Sequence, residues 1–380
     1  MNKKILLIPL ALLLAISLVA IGCAAPAPVP APVPAPTPTP APAPAPTPVP
    51  APAPAPTPAP AVEVIEWKLQ STYGAGTRFH DVVLMVVDEI NAMSGGRLVV
   101  KDFPGGAIVP PTKEFDGVLK GTIDAGIMAH CFNAPWFPQS GLFFQVVGGM
   151  RTPVYMMWFE QGGGHKLAAR MWATLGVVYV GTPLFHPPEI WCHSSKPLNS
   201  LADLKGFKMR AAGDAAAVLA RMGATPVFLA PPEIYESQAR GVTDGLEYGG
   251  LHVNWDFGFH EIAKYIYLSS SRAPSATSGF AVREDVWAEL PPDLQKIVGD
   301  ACRVIALRGY AEELVLDYEA YKKYVEYGVK VRPLPEDIEQ EMLSVAEAYY
   351  DEESAKDPFY AEVIQSQRDF VEICEFHDIR

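Results

Sequence analysis

From Pro26 to Pro60 proline alternates with alanine, valine or threonine. Such a run cannot enter a helix interior or a central strand, because each proline fixes φ and removes a backbone N–H donor. It favours extended polyproline II, and at about 3.1 Å per residue roughly 35 residues reach up to about 100 Å. The run therefore reads as a tether. A proline-rich ligand for a partner domain is the alternative use, but the repeat lacks flanking charges. Everything able to build a core lies beyond it, in residues 62–380, enough chain for two lobes with cores of their own.

Before the tether, Lys3 and Lys4 precede an apolar run from Ile5 to Ile21, then Gly22 and Cys23, the pattern of an export signal. A small residue before a lone early cysteine resembles the lipobox of bacterial lipoproteins. That resemblance implies a signal peptide over residues 1–22, lipid on Cys23 as the new N-terminus, and residues 23–61 as the lipid-bearing tether. Ala20 stands where leucine is commoner, so an uncleaved anchor and ordinary secretion stay open; all three export the domain. The net charge of −13 argues against nucleic acid or an anionic membrane surface as partner, leaving a lipid anchor as the membrane contact. The other cysteines, Cys131, Cys192, Cys302 and Cys374, form no CxxC pair; their number permits disulfides in an oxidising compartment, with buried free thiols the favoured reading.

Along the folded part, helical and strand periods alternate. Phe79, Val82, Val83, Val86, Val87 and Ile90 recur on one helix face between the strand-like "VIEWKLQ" and "RLVVKDF". A second helix, marked by Phe115, Val118 and Leu119, stops at Gly121 and runs into "TIDAGIMA". This order predicts an α/β architecture with mainly parallel strands. The pattern then recurs: "FDGVLKGTIDAGIMA" (115–129) and "IYESQARGVTDGLEY" (234–248) each run from helix to glycine to aspartate to extended segment. Glycine suits the left-handed turn after a helix. Two similar lobes follow, about 62–186 plus parts of 246–330, and about 187–245 plus parts of 250–280, with a helical region over 292–380. The cleft between them is the expected ligand site.

In "LKGFKMRAAGDAAAVLARMGATPVFLAP" (204–231), Arg210 closes a strand just before a helix. Ligands of open α/β sheets lie beyond such strand ends, and the small residues and free amides of a helix start favour an anion. A guanidinium grips a carboxylate through two parallel bonds.

These residues carry a resemblance. "LADLKGFKMRAAG" (201–213), "MGATPVFLAPPEIYESQARGVTDGLEYGG" (222–250), "FHEIAKYIY" (259–267) and "AELPPDLQKIVGDA" (288–301) resemble the DctP-like extracytoplasmic solute receptors of tripartite ATP-independent periplasmic (TRAP) transporters, nearly throughout the chain after the tether. The resemblance implies a two-lobed fold of the type II periplasmic-binding-protein kind with C-terminal helices. It also implies a ligand carboxylate on Arg210, no catalysis, delivery to ion-coupled membrane subunits, and an exported, lipid-anchored location. Glu247-Tyr248 looks like the Glu-Trp of the branch that binds 2-oxo acids and hydroxy acids such as pyruvate or lactate with a cation. The implied metal set is Glu247, Tyr248 and the position of Glu189, where that branch has glutamine. Glu189 departs from the pattern: it either strengthens a Ca²⁺ or Na⁺ site, accepts bonds from a hydroxylated or cationic ligand, or points elsewhere. No cofactor is required. His252 stands where the branch often has tyrosine, and "HCFNAPW" replaces its Tyr/Trp-rich stretch.

Thr72 and Tyr73 in the first strand-to-helix turn, and Phe132, Asn133 and Trp136 after the next extended segment, are further cleft candidates, with core packing the alternative for the aromatics. His130-Cys131 and Cys192-His193 lack structural-zinc spacing. No GxSxG, HExxH or GxxxxGK[ST] motif occurs; a secreted lipoprotein hydrolase acting on a small anion, or an adhesive lipoprotein, would need scattered residues. After Pro292, Leu294, Ile297, Val298, Ala301, Val304 and Ile305 mark one apolar helix face. The C-terminal helices either brace the lobes or pack across a homodimer, as in some receptors resembling this branch.

Overall fold

The computed structural model describes residues 64–379; the signal peptide, Cys23 and the tether lie outside the described residues. Alternating residues give strand β1 (Ile65–Ser71), and largely apolar runs give β2 (Leu98–Phe103), β3 (Ala125–Ala129) and β4 (Val177–His186), followed by the short β5 (Cys192–Ser194), β6 (Lys208–Arg210), β7 (Thr225–Val227) and β8 (Gly245–Leu246). The set is completed by β9 (Tyr265–Leu268), β10 (Ala276–Arg283) and β11 (Lys330–Pro333). Two sheets result, ordered β2-β1-β3-β10-β4 and β11-β9-β5-β8-β6-β7. Each is mixed: β1, β2 and β3 run parallel and β10 antiparallel to β3, while β6, β7 and β8 run parallel and β5 antiparallel to β8.

The duplicated sequence pattern is a duplicated structure. Gly121 and Gly241 end their helices with φ of +67° and +72°, a conformation that a Cβ disfavours. The N–H of Lys68 donates to Asp124 Oδ2 (2.8 Å), and that of Lys208 to Asp244 Oδ2 (3.0 Å). In return the Asp124 N–H donates to the Lys68 carbonyl and the Asp244 N–H to the Lys208 carbonyl. One aspartate thus zips the start of β3 to β1 and the other the start of β8 to β6, fixing register. The expected apolar face of the first helix, Arg78–Met93, is buried throughout, from Phe79 to Ile90.

Three stretches, between β4 and β5, between β9 and β10 and between β10 and β11, pass from one sheet to the other. The helix Pro292–Tyr327 has 36 residues, about 54 Å at 1.5 Å per residue. Leu294, Val298, Ala301 and Ile305 pack in the first lobe's core, and Ala320 and Tyr324 pack with Ile190 and Ile266 of the second. Val304, expected on that buried face, is half exposed because it sits one step round the helix from Ile305. After β11, helix Glu336–Lys356 packs on helix Gly213–Arg221 of the second lobe, and helix Pro358–Phe376 on helices Thr152–Gln161 and Gly164–Ala173 of the first. The C-terminal helices therefore brace both lobes. The sequence reading placed nothing from beyond residue 280 in the second sheet, yet β11 extends it beside β9. The four later cysteines are free, and no helix among the described residues is long and apolar enough to cross a membrane.

Candidate functional site

Strand β6 ends at Arg210, and the adjacent parallel β8 leads directly into Glu247 and Tyr248. Arg210 is buried and clamped: Nη1 donates to the Glu247 carbonyl (2.7 Å) and to Glu247 Oε1 (3.0 Å), while Nε and Nη2 each donate to the Leu229 carbonyl (3.3 Å). Its guanidinium carbon lies 5.7 Å from the centre of the Tyr248 ring, within cation–π range. A guanidinium has five N–H donors, so one N–H of Nη2 has no acceptor among the described residues. The helix-start amide expected to receive an anion is already engaged: the Ala212 N–H donates to Glu247 Oε1 (2.9 Å).

Glu189, on the crossing between β4 and β5, is equally buried. Gln145 Nε2 donates to its Oε1 and Arg272 Nη2 to its Oε2, both at 2.6 Å. Arg272 has no exposed surface. Its Nη2 also donates to the Ile190 carbonyl (2.9 Å), and its Nη1 lies 3.0 Å from Glu247 Oε2. Two arginines and two glutamates thus form one buried network whose formal charges cancel. Burial pushes the Glu189 carboxyl up to about 7; the Arg272 charge opposes that rise and the Glu247 charge adds to it.

These groups face a narrow cavity lined by both lobes. From the first come Thr72, Tyr73, Phe79 and Phe132, from the second Arg210, Glu247 and Tyr248, with Gln145, His186 and Glu189 also on the wall. Thr72 Oγ1 donates to Glu114 Oε2 (3.2 Å), and the Tyr73 hydroxyl shares a 2.5 Å bond with Ser278. Phe132 meets Phe228 of the opposite lobe edge-on, ring centres 6.5 Å apart. His186 Nδ1 faces Glu313 Oε2 at 2.9 Å.

Three candidates stand elsewhere. Asn133 is buried in the turn His130–Asn133, off the cavity wall, because that turn carries Cys131 and Phe132 to the cleft instead. His252 sits on helix Leu251–Asp256, its N–H bound to Asp317 and its ring 3.4 Å from Asp256, also off the wall. Trp136 is largely exposed. Sequence reasoning missed Gln145, His186 and Arg272. Arg272 lies in "SSSRAPS", a stretch without periodicity; the sequence carries no signal that pairs it with Glu189 or Glu247. A wider groove of about 580 Å³ lies between 146–154 and the last two helices, but its charged groups, Arg151, Glu347, Arg368 and Glu375, are all exposed.

Residues 70–357 match the DctP family, described as bacterial extracellular solute-binding protein, family 7. The chain belongs to this family. Among curated relatives it is 24% identical over 306 residues to a monocarboxylate 2-oxoacid-binding periplasmic protein of Nostoc, covering 80% of this chain and 84% of that one. A TRAP periplasmic solute-binding protein from Pseudoalteromonas atlantica, solved with sodium and pyruvate, superposes with a TM-score of 0.79 at 27% identity over 83% of this chain and 98% of that one. Its counterpart from Colwellia psychrerythraea, solved with calcium and pyruvate, gives the same score and identity over 83% and 96%. This DctP-family protein is an extracytoplasmic solute receptor of the TRAP type, not an enzyme.

Proposed function

We propose that the chain captures a small 2-oxo or hydroxy monocarboxylate between its lobes, with Arg210 as the carboxylate anchor, and delivers it to TRAP membrane subunits. The observation that carries this reading is the clamped, buried Arg210 at the cavity wall, held rigid by Glu247 and the Leu229 carbonyl with one N–H uncommitted. The network is neutral before ligand enters, so one ligand charge is tolerated, while a second would meet Glu189 and Glu247 in a low-dielectric cavity. Pyruvate in both solved relatives supports the same class.

Tyr73, Thr72 and Phe132 meet the ligand from the first lobe, Arg210, Glu247 and Tyr248 from the second, and Glu189 from the crossing. Ligand therefore bridges the lobes only when they are closed and shifts the population toward that state. Tyr248 and Phe132 supply the apolar walls against which a methyl or short alkyl group packs. The site gives no reason to assign ligand contacts to Asn133 or His252.

Isothermal titration of the full chain with pyruvate, lactate and succinate tests the reading: the two monocarboxylates bind, succinate binds more weakly, and Arg210→Ala weakens pyruvate by at least about tenfold, as loss of a charge-assisted bond requires. Equal affinity in wild type and variant would remove Arg210 from the site.

Lipid on Cys23 and the proline tether would hold the receptor near its membrane partners; mass spectrometry of the processed N-terminus tests this. A second copy is the occupant we infer for the exposed stripe Val304, Leu307, Leu314, Val315, Tyr318 and Val325 on the long helix. These residues share one face at three- and four-residue spacing, as an antiparallel helix pair across a dimer needs. Sedimentation equilibrium of wild type against Leu307→Glu/Tyr318→Glu tests that inference.

A further inference from the structure

Two carboxylates, Glu189 and Glu247, converge on one buried cavity, and both relatives solved with pyruvate hold a sodium or calcium ion. Buried like charges this close require a positive charge between them, which a hard cation or a guanidinium can supply. Here the guanidinium is present. Arg272 is fully buried, is absent from the cavity wall, and reaches Glu189 Oε2 at 2.6 Å and Glu247 Oε2 at 3.0 Å from behind. The remaining oxygens are also taken: Glu189 Oε1 accepts from Gln145, and Glu247 Oε1 from Arg210 and the Ala212 amide. All four carboxylate oxygens therefore already have a cationic or N–H partner. Among the described residues no cluster of three or more His, Cys, Asp or Glu offers a separate metal site.

We propose that Arg272 is the built-in cation of this receptor, binding Glu189 and Glu247 in place of a metal ion, so that the cleft closes on its solute without Ca²⁺ or Na⁺. Glu189 and Arg272 then explain each other. Glutamate at position 189 adds a negative charge that an amide would not carry, and Arg272 adds the positive charge that balances it. A metal entering between these carboxylates would either displace Arg272, leaving a buried guanidinium unpaired, or add surplus positive charge to a neutral network. Both are unfavourable in a buried site. Arg272 is a positioning residue: it touches the carboxylates and holds Glu247 where Glu247 clamps Arg210.

The inference rests on the cleft described under the proposed function, but its test uses Ca²⁺ alone, so it is readable even if the organic acid is misassigned. Calorimetric titration of Ca²⁺ into the full chain is compared with Arg272→Gln and with Glu189→Gln/Arg272→Gln. The double variant removes one charge of each sign and keeps the network balanced, so it provides a folded test should Arg272→Gln collapse. Wild type is expected to show no Ca²⁺ binding that depends on Glu247. A folded variant lacking Arg272 is expected to bind Ca²⁺ at least about tenfold more tightly than wild type, an effect abolished by adding Glu247→Gln. Wild-type Ca²⁺ binding that Glu247→Gln removes would overturn the proposal, as would folded variants no tighter for Ca²⁺ than wild type.

Discussion

Gln70 and Arg210 occupy the same place in the two lobes. Each lies two residues beyond the lysine, Lys68 or Lys208, whose backbone is zipped to Asp124 or Asp244, near the end of β1 or at the end of β6. Their fates differ. Gln70 uses its whole bonding capacity inside its own lobe: Nε2 donates to the Val109 carbonyl and Glu114, and Oε1 accepts from the N–H groups of Ile108 and Val109. Arg210 carries a permanent charge and keeps an N–H in reserve at the cavity wall. One scaffold thus spends a strand end on fixing a loop in the first lobe and, in the function proposed above, on gripping a solute in the second.

The sharpest way to break this comparison is Gln70→Ala, which strands two half-buried amides and a half-buried carbonyl. It should cost about 2–3 kcal/mol of stability in urea unfolding while leaving pyruvate affinity within about twofold. A large affinity loss with little loss of stability would mean that the first lobe's strand end also serves the ligand. The converse exchange, Arg210→Gln, should weaken pyruvate by at least about tenfold, about 1.4 kcal/mol, because a neutral amide cannot replace the charge.

Glu114 beside Gln70 gives a pH test. Burial pushes its carboxyl up to about 7 from an ordinary 4.5, against the hydrogen bonds from Gln70 and Thr72. Between those values the folded state binds more protons than the unfolded, so stability falls as pH rises through that window, by up to about 1.4 kcal/mol per pH unit. Glu114→Gln should flatten that part of the stability curve; an unchanged slope would show that Glu114 titrates normally.

The smallest expected effect concerns the twin glycines. Gly241→Ala meets nothing within 4 Å and should cost only the left-handed strain, about 1 kcal/mol, whereas a Cβ on Gly121 would come within 1.9 Å of Arg283 Nη1. Gly121→Ala should therefore cost slightly more, and the difference should vanish in an Arg283→Ala background. Identical costs without that change would show that Arg283 simply swings away.

The helix Arg78–Met93, the twin glycine–aspartate joints and the charged strand end at Arg210 were legible in the chain because local periodicity and turn chemistry fix them over a few residues. The family was legible from the same stretches. Which side chains face the cleft was less so: the turn His130–Asn133 directs Phe132 to the cavity and Asn133 away from it, and no one-dimensional pattern encodes that rotation. The partner of Glu189 was not legible at all. Arg272 stands 83 residues away, in an aperiodic crossing between the sheets.

By itself the sequence determined the export signal pattern, the α/β repeat, the strand-end arginine and the receptor family, all of which rest on short-range patterns. Only the tertiary structure decided how four charges are shared, because burial makes each of them need an opposite charge within about 3 Å and only the folded chain brings Gln145, Glu189, Arg210, Glu247 and Arg272 together.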